Sequence, residues 1–150
     1  MADSRRDQEY LGIDSNILVA YVVPDHPAHD SVKWLIERNH AINATVLHES
    51  YHTLVFKLKR RPDQTRKTLL EYMGYVLFLS TTAQTAELGL RLAVKHALGG
   101  RDALILASYL LSKEVRTLVT MEKGLLTLRK ITLGEKVLEI SSAGHASQAI

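Results

Sequence analysis

The chain has 150 residues, of which 46% are apolar and 23% charged, and it contains no cysteine. This composition suits one globular domain with a buried core, and the lack of cysteine excludes disulfides and cysteine-ligated metal sites. The net charge of +3 is too small to indicate nucleic-acid binding by itself. Because the sequence shows neither a secretory signal nor an apolar stretch of membrane-spanning length, we expect a cytoplasmic protein.

The apolar pattern predicts one α/β domain over residues 10–140, with a disordered N-terminus at 1–9 and a flexible tail at 141–150. A buried strand is predicted to end at Asp14 and to be followed by a short helix. A second strand is predicted over 41–47, and the helix after it would carry Glu49 in its first turn.

The second half of the sequence continues the alternation of strands and helices. Pro62 is predicted to turn a helical hairpin that extends to residue 78, and a threonine-capped helix follows until Gly99 and Gly100. An apolar helix then begins at Asp102, and strands are predicted over 115–120 and 136–141. We therefore predict a three-layer α/β/α sandwich with a mainly parallel central sheet.

Acidic residues stand where the predicted strands end. Asp14 follows the first strand, Glu49 the second and Glu122 the third, while Asp102 begins a helix. Ligand sites in open α/β sheets form at the carboxyl ends of the strands, so these acids are predicted to share one edge. Carboxylates brought together favour Mg²⁺ or Mn²⁺, and one or two such ions can activate water against a phosphodiester.

Residues 48–52, HESYH, permit a different interpretation. His48 and His52 match the spacing of a zinc metalloprotease motif, with Glu49 as the general base and Glu71 as a third ligand. This interpretation leaves Asp14 and Asp102 without a role. We therefore favour a site in which Glu49 alone among these three motif residues binds metal, and keep the zinc protease as an alternative.

A basic segment provides candidate contacts to RNA phosphates. The cations of this segment, together with one that precedes Asp102, are Lys57, Lys59, Arg60, Arg61, Arg66, Lys67 and Arg101. Such a cluster can bind a nucleic-acid backbone or serve only as solvated surface. Arg101 can equally pair with a neighbouring acid.

Four segments taken in order resemble one known family. They are LGIDSNILVAYV at Asp14, Glu49 at a helix start, GGRDALILA at Asp102, and LVTMEKGL at Glu122. Across residues 10–140 the chain resembles a PIN-domain ribonuclease, close to the VapC-type toxins and related archaeal and bacterial PIN proteins. The family usually has aspartate where this chain has Glu122.

The resemblance implies a metal-dependent endoribonuclease, in which Asp14, Glu49, Asp102 and Glu122 hold Mg²⁺ or Mn²⁺. Asn16 and Thr120 match supporting polar positions, and Ser15 lies beside them. The resemblance also implies a homodimer and, for VapC-type members, an antitoxin that occupies the acidic cleft. The alternative is a non-catalytic PIN-like module that binds RNA or serves in assembly.

Overall fold

In the computed structural model, which describes residues 9–148 apart from the side chains of Ile36, Ser147 and Gln148, a six-stranded sheet forms the centre of the molecule. The strands are β1 (Tyr10–Ile13), β2 (His40–Asn43), β3 (Leu77–Leu79), β4 (Val115–Val119), β5 (Lys130–Leu133) and β6 (Lys136–Ser141). Their order is β3-β2-β1-β4-β6-β5. All neighbours pair in parallel except β5 and β6, which form an antiparallel hairpin.

Helices connect the strands. They are α1 (Ser15–Val22), α2 (His29–Val32), α3 (Ala44–His52), α4 (Pro62–Met73), α5 (Ala83–His96), α6 (Gly100–Leu111), α7 (Lys123–Leu126) and α8 (Ala143–Gln148). A 3₁₀ segment, Lys33–Glu37, extends α2, and a π-helical segment, Thr53–Lys57, extends α3. In the part of the chain that the structure describes, no helix is long and apolar enough to cross a membrane.

The strand order reverses direction between β1 and β4. The chain steps from β1 to β2 to β3 in one direction and then returns through α5 and α6 to β4 on the other side of β1. Because parallel crossovers are right-handed, the helices before and after β3 cover opposite faces of the sheet. This arrangement confirms the predicted α/β sandwich, and it makes the carboxyl ends of β1 and β4 the expected ligand position.

Apolar side chains from the sheet and from both helix layers form one core. Ile13 on β1, Ile42 on β2 and Leu118 on β4 are fully buried. Helix α6 contributes buried apolar residues along most of its length, including Ile105 and Leu106. This burial holds the starts of α1 and α6 against the sheet, where the candidate acids lie.

The predicted strand over 41–47 is too long. Strand β2 stops at Asn43 because the Oδ1 atom of that residue accepts a hydrogen bond from the backbone N–H of Val46, at 2.9 Å, and so caps α3. Helix α3 therefore begins at Ala44, and Glu49 lies in its interior. The prediction that Glu49 occupies the first turn of its helix is wrong for this reason.

Several short elements were absent from the sequence-based prediction. Strand β3 lies at the end of what was predicted as helix, and β5 and α7 were not predicted. Helix α8, with Ala143 and Ala146 buried, occupies most of the stretch predicted as a flexible tail. Residues 1–8 of the predicted disordered N-terminus lie outside the described residues.

Candidate active site

Asp14 lies between the two strands at which the sheet order reverses. Its backbone N–H donates to the carbonyl of Val119, the last residue of β4, at 3.1 Å. Its Oδ1 accepts from the N–H of Ser15 at 2.7 Å, and its Oδ2 accepts from the hydroxyl of Thr120 at 2.7 Å. Both carboxylate oxygens are therefore held in place, and the side chain also caps α1.

The surroundings of Asp14 favour its neutral form. The pKa of this carboxyl is raised from 3.8 to about 6. Burial is the largest cause, and the nearby charges of Asp102 and Glu49 contribute smaller increases. The hydrogen bonds from Thr120 and Ser15 act in the opposite direction but do not cancel the effect. A nearby cation would relieve this electrostatic cost.

Glu49 reaches the same place from α3. Its Oε1 accepts a hydrogen bond from the hydroxyl of Ser15, and its Oε2 lies 3.1 Å from the Nη1 atom of Arg101. The side chain of Arg101 is 74% exposed, whereas that of Glu49 is 21% exposed. Arg101 thus pairs with an acid of the cluster, which is one of the two roles considered for it from sequence.

Asp102 and Glu122 complete the acid group. Burial raises the pKa of Asp102, and the charges of Glu122 and Glu49 add to this rise, while Arg101 opposes it. Glu122 is exposed, and its backbone N–H donates to the hydroxyl of Thr120 at 2.9 Å. Asp102 therefore interacts electrostatically with each of the other three predicted acids at this edge of the sheet.

The three predicted supporting residues make contacts that position the site. Thr120 links the segment after β4 to Asp14, and Ser15 links α1 to Glu49. The Oδ1 atom of Asn16 accepts from the backbone N–H of Met121 at 3.3 Å. Thr120 and Asn16 thus tie the segments after β1 and β4 to each other, and Ser15 ties α1 to α3.

The acid group has the donor chemistry of a hard divalent cation site, because its side chains offer carboxylate and hydroxyl oxygens and repel one another. Within residues 9–148, no three histidine, aspartate or glutamate side chains form a group ready to bind a metal ion. Both oxygens of Glu49 are engaged, one by Ser15 and the other by Arg101. The carboxylates supply the oxygen donors that a hard divalent cation takes, and Glu49 would have to give up its contact with Arg101 to bind one through the same oxygen.

The histidines of the HESYH motif have other contacts. The Nδ1 atom of His48 lies 2.9 Å from the carbonyl of Ala44, to which it must donate, and His52 packs on the ring of Phe56 with centroids 5.1 Å apart. Glu71, the suggested third ligand, is exposed on α4. Nothing in these contacts supports a zinc site.

The basic segment is partly neutralised by local acids. Arg60 pairs with Asp25 at 3.1 Å, and Arg61 pairs with Asp63 at 3.2 Å. Lys57, Lys59, Arg66 and Lys67 are exposed. The basic side chain in direct contact with the acid group is Arg101.

Tyr109 was not recognised from sequence as part of the site's support. Its hydroxyl, fully buried on α6, donates to the carbonyl of Ile13 at 2.6 Å and contacts that of Ala41 at 3.2 Å. A Cβ at Gly12 would lie 2.7 Å from the Tyr109 ring, so the pair requires glycine there. A tyrosine in an apolar helix gave no signal that distinguished it from ordinary core.

The sequence profile of the PIN domain matches residues 12–130 of the chain, which include every acid of the site. The chain belongs to the PIN domain family. This match confirms the family suggested by the motifs. Membership of this family supports nuclease activity. No curated protein matches this PIN domain by sequence.

Solved structures with the same fold include toxins and their complexes. VapC20 of Mycobacterium tuberculosis, a toxin that cleaves the sarcin–ricin loop, has a TM-score of 0.60 and 16% identity, covering 72% of this chain and 86% of that one. VapBC2 from Rickettsia felis, bound to a DNA fragment from their promoter, has a TM-score of 0.63 and 16% identity, covering 89% and 98%. A toxin–antitoxin complex from Klebsiella pneumoniae has a TM-score of 0.57 and 22% identity, covering 76% and 87%. At such identities these matches show the fold.

Proposed function

We propose that this PIN domain is an endoribonuclease that hydrolyses RNA phosphodiester bonds with Mg²⁺ or Mn²⁺ at Asp14, Glu49, Asp102 and Glu122. The observation that carries the proposal is the electrostatic coupling of these carboxylates at the point where the sheet order reverses. A divalent ion bound there lowers the pKa of water and offsets the negative charge on the leaving oxygen.

The protein side chains have separate tasks in this proposal. Asp14 is fixed by Thr120 and Ser15, so its carboxylate presents a constant direction to a ligand. Asp102 stands half-buried at the first turn of α6, and Glu122 extends from the exposed segment after β4. In this proposal Glu122 serves where the family usually has aspartate, and its carboxylate lies near enough to Asp102 to raise the pKa of that residue.

RNA would be held through its phosphates. A cluster of carboxylates repels RNA, so we expect substrate affinity to increase once the cation is bound. Arg101 stands at the rim of the acid group and becomes available to a phosphate when it leaves Glu49. The exposed cations of the basic segment extend this surface.

The same proposal includes the protein's partners and cellular setting. Among the structures that share its fold are a toxin–antitoxin complex and VapBC2. These neighbours support a role as the toxin of a toxin–antitoxin pair in the cytoplasm, with an antitoxin that covers the acid group. We also propose that the chain forms a homodimer.

One observation favours a second candidate function. Arg101 already neutralises Glu49, and the acid group is not a preformed metal site. A PIN-like module that binds RNA without cleaving it would not need a preformed metal site. This second hypothesis predicts that the chain binds RNA equally well with and without EDTA, and that replacing Asp14 leaves RNA binding unchanged.

Cleavage of a mixed single-stranded RNA pool by the purified chain tests the proposal. We expect cleavage with Mg²⁺ or Mn²⁺, and its loss with EDTA and in Asp14→Asn, by about 100-fold or more. Glu135→Gln, at an exposed acid between β5 and β6, is the matched control and should keep full activity. Equal cleavage by the natural chain and Asp14→Asn would refute the assignment.

A further inference from the structure

The helix that carries Glu49 ends in an exposed aromatic pair, His52 and Phe56. The two rings contact each other, with centroids 5.1 Å apart and planes inclined by 37°. Phe56 lies in the π-helical extension of α3 and is 59% exposed, because buried Leu54 occupies the inward position of that turn. A single exposed apolar side chain is ordinary, so the surroundings of the pair decide whether it has a function.

The backbone beneath the aromatic pair is held in place. The N–H of Leu58 donates to the carbonyl of Thr53 at 2.9 Å, and the N–H of Arg60 donates to the carbonyl of Leu54 at 2.9 Å. The segment is π-helical, a rare conformation that occurs frequently at functional sites. The ring of Phe56 is therefore presented to solvent by a hydrogen-bonded helix end that Leu54 anchors in the core.

The aromatic pair lies on the same side of its helix as Glu49. His52 follows Glu49 by three residues in α3, so the two side chains are about 60° apart around the helix axis. Phe56 follows His52 by four residues, and their ring contact places them on one side. Along the axis Phe56 is about 10 Å from Glu49, which is the length of about three stacked nucleotides. A strand of RNA with one phosphate at the acid group can therefore reach Phe56.

Cations adjoin the aromatic pair. Lys57 directly follows Phe56, Lys59 comes two residues later, and both are exposed. Aromatic rings interleaved with cations are the features with which proteins bind single-stranded nucleic acid, because the rings stack on bases while the cations attract phosphates. An apolar protein segment would use the ring but not the lysines. The charge beside the pair therefore favours RNA as its ligand.

We propose that the aromatic pair is a stacking platform for an unpaired nucleobase of the RNA, within about three nucleotides of the phosphate held at the acid group. Phe56 supplies the flat surface on which the base lies, and His52 supports the ring. Every base has an aromatic face, whereas bases in a duplex are already stacked on their neighbours. The platform therefore selects unpaired RNA over duplex RNA without requiring one sequence.

RNA affinity measured by fluorescence anisotropy tests the platform. The inference rests on the proposed function, since it assigns a base subsite to the RNA cleaved there, and an Asp14→Asn background keeps the RNA intact. In that background Phe56→Ala should bind a labelled single-stranded RNA about tenfold more weakly, because one stacked base is lost. Phe56→Trp should preserve the affinity. Phe56→Leu, which is apolar without a flat ring, should bind as weakly as Phe56→Ala, and full affinity in Phe56→Leu would overturn stacking.

Two controls isolate the contribution of the ring. Leu58→Ala changes another exposed apolar side chain, two residues from Phe56, and should leave RNA affinity unchanged. Equal weakening by Leu58→Ala would identify a general apolar contact instead of stacking. A fully paired RNA hairpin stem should bind equally well with and without Phe56→Ala, and an equal loss on paired and unpaired RNA would contradict the inference. Since both side chains are exposed, circular dichroism should show all variants folded.

A fluorescent purine analogue detects the stacking directly. Its emission falls when it stacks on an aromatic ring, so single-stranded RNAs that carry the analogue at successive positions locate the base on the platform. We expect the emission to fall on binding at one or two adjacent positions, and Phe56→Ala to restore it there. If Phe56→Ala changes the emission at no position, the base does not stack on this ring.

Cleavage measured beside binding separates this inference from the nuclease proposal. If Phe56→Ala keeps full affinity for unpaired RNA while Asp14→Asn abolishes cleavage, the platform is refuted and the nuclease stands, and the exposed pair is then left for a protein partner. If the natural chain cleaves no RNA yet Phe56→Ala weakens binding, the platform stands and only the nuclease is refuted.

Discussion

Asp14 combines burial with two neighbouring carboxylates, and both conditions disfavour its charge. The residue is 3% exposed, and its pKa is raised from 3.8 to about 6. A carboxyl of this kind makes the folded state most stable when it is protonated or when a cation stands beside it. The site is thus built at the expense of stability at neutral pH.

Stability should therefore depend on pH through Asp14. Its folded pKa exceeds its unfolded pKa, so the folded state binds the proton more tightly, and the associated stabilisation is present at low pH and lost as the pH rises through about 6. Asp14→Asn cannot titrate. We expect this variant to be more stable than the natural chain at neutral pH by about 2 to 3 kcal/mol, with the difference vanishing near pH 4.

Urea unfolding across this pH range, with EDTA present, measures the effect. Glu135→Gln, which removes an exposed acid, should follow the natural chain at every pH. A stability difference between Asp14→Asn and the natural chain that is the same at every pH would show that titration of Asp14 is not its cause.

Arg101 is expected to compete with a divalent ion. It contacts Glu49 at 3.1 Å, and it must give up this contact if Glu49 binds the ion through the same oxygen. An exposed ion pair is worth about 0.2 to 1 kcal/mol, so Arg101→Gln should bind Mn²⁺ up to about fivefold more tightly in calorimetric titration. Arg116→Gln, which removes a comparable exposed pair with Glu9, should leave Mn²⁺ affinity unchanged. Weaker Mn²⁺ binding in Arg101→Gln would contradict competition.

At the scale of elements, the buried hydroxyl of Tyr109 joins α6 to β1 and β2. It contacts carbonyls at the end of β1 and in β2, next to the positions from which Asp14 and α3 depart. Gly12 makes room for the ring. This buried contact fixes α6, which carries Asp102, relative to β1 and β2, after which Asp14 and α3 follow.

Loss of this hydroxyl should weaken the framework. Tyr109→Phe leaves two buried carbonyls without this donor, and we expect the free energy of unfolding to decrease by about 1 to 3 kcal/mol. Urea denaturation measures the change. Tyr75→Phe removes a hydroxyl from a side chain that is 89% exposed and should have no effect. Equal stability of Tyr109→Phe and the natural chain would show that these contacts carry no net energy.

Element boundaries show which local signals can be recognised in sequence. Helix α5 was predicted well because Thr82 and Thr85 form a capping box, which is a local pattern. Its end was predicted at the glycines, yet Ala97 takes the left-handed conformation with φ of 54°. Strand β3 has three residues, and only its pairing with β2 distinguishes it from the end of a helix.

At the scale of the whole molecule, the basic segment offers phosphates four exposed cations that are not offset by the two ion pairs described above. They are Lys57, Lys59, Arg66 and Lys67. The net charge of +3 is modest, so attraction of RNA depends on this local concentration of charge.

Salt dependence should reveal whether these cations bind RNA. In an Asp14→Asn background that keeps RNA intact, replacing Arg66 and Lys67 with Gln should reduce the slope of log affinity against log salt by about 0.7 for each lost phosphate contact. Lys113→Gln combined with Lys130→Gln removes the same charge elsewhere and serves as the control. Equal slopes for the two double variants would mean that the basic segment is ordinary solvated surface.

The sequence by itself determined the fold class and the candidate acids. Both depend on local information: apolar periodicity marks buried strands and helices, and an acid that directly follows a parallel strand, as Asp14 does, must lie at the carboxyl edge of the sheet. The motifs around Asp14 and Asp102 also identified the family. None of these conclusions required contacts between distant residues.

Only the tertiary structure decided how the acids are held and what the surface offers. Ser15 meets Glu49, Thr120 meets Asp14, and Arg101 neutralises Glu49 through contacts between segments far apart in the chain. The same holds for Tyr109, and for Leu90 and Val94 on α5, whose exposure depends on which face of the helix the core covers. Helical periodicity shows that such faces exist, but packing against the rest of the molecule decides which of them is buried.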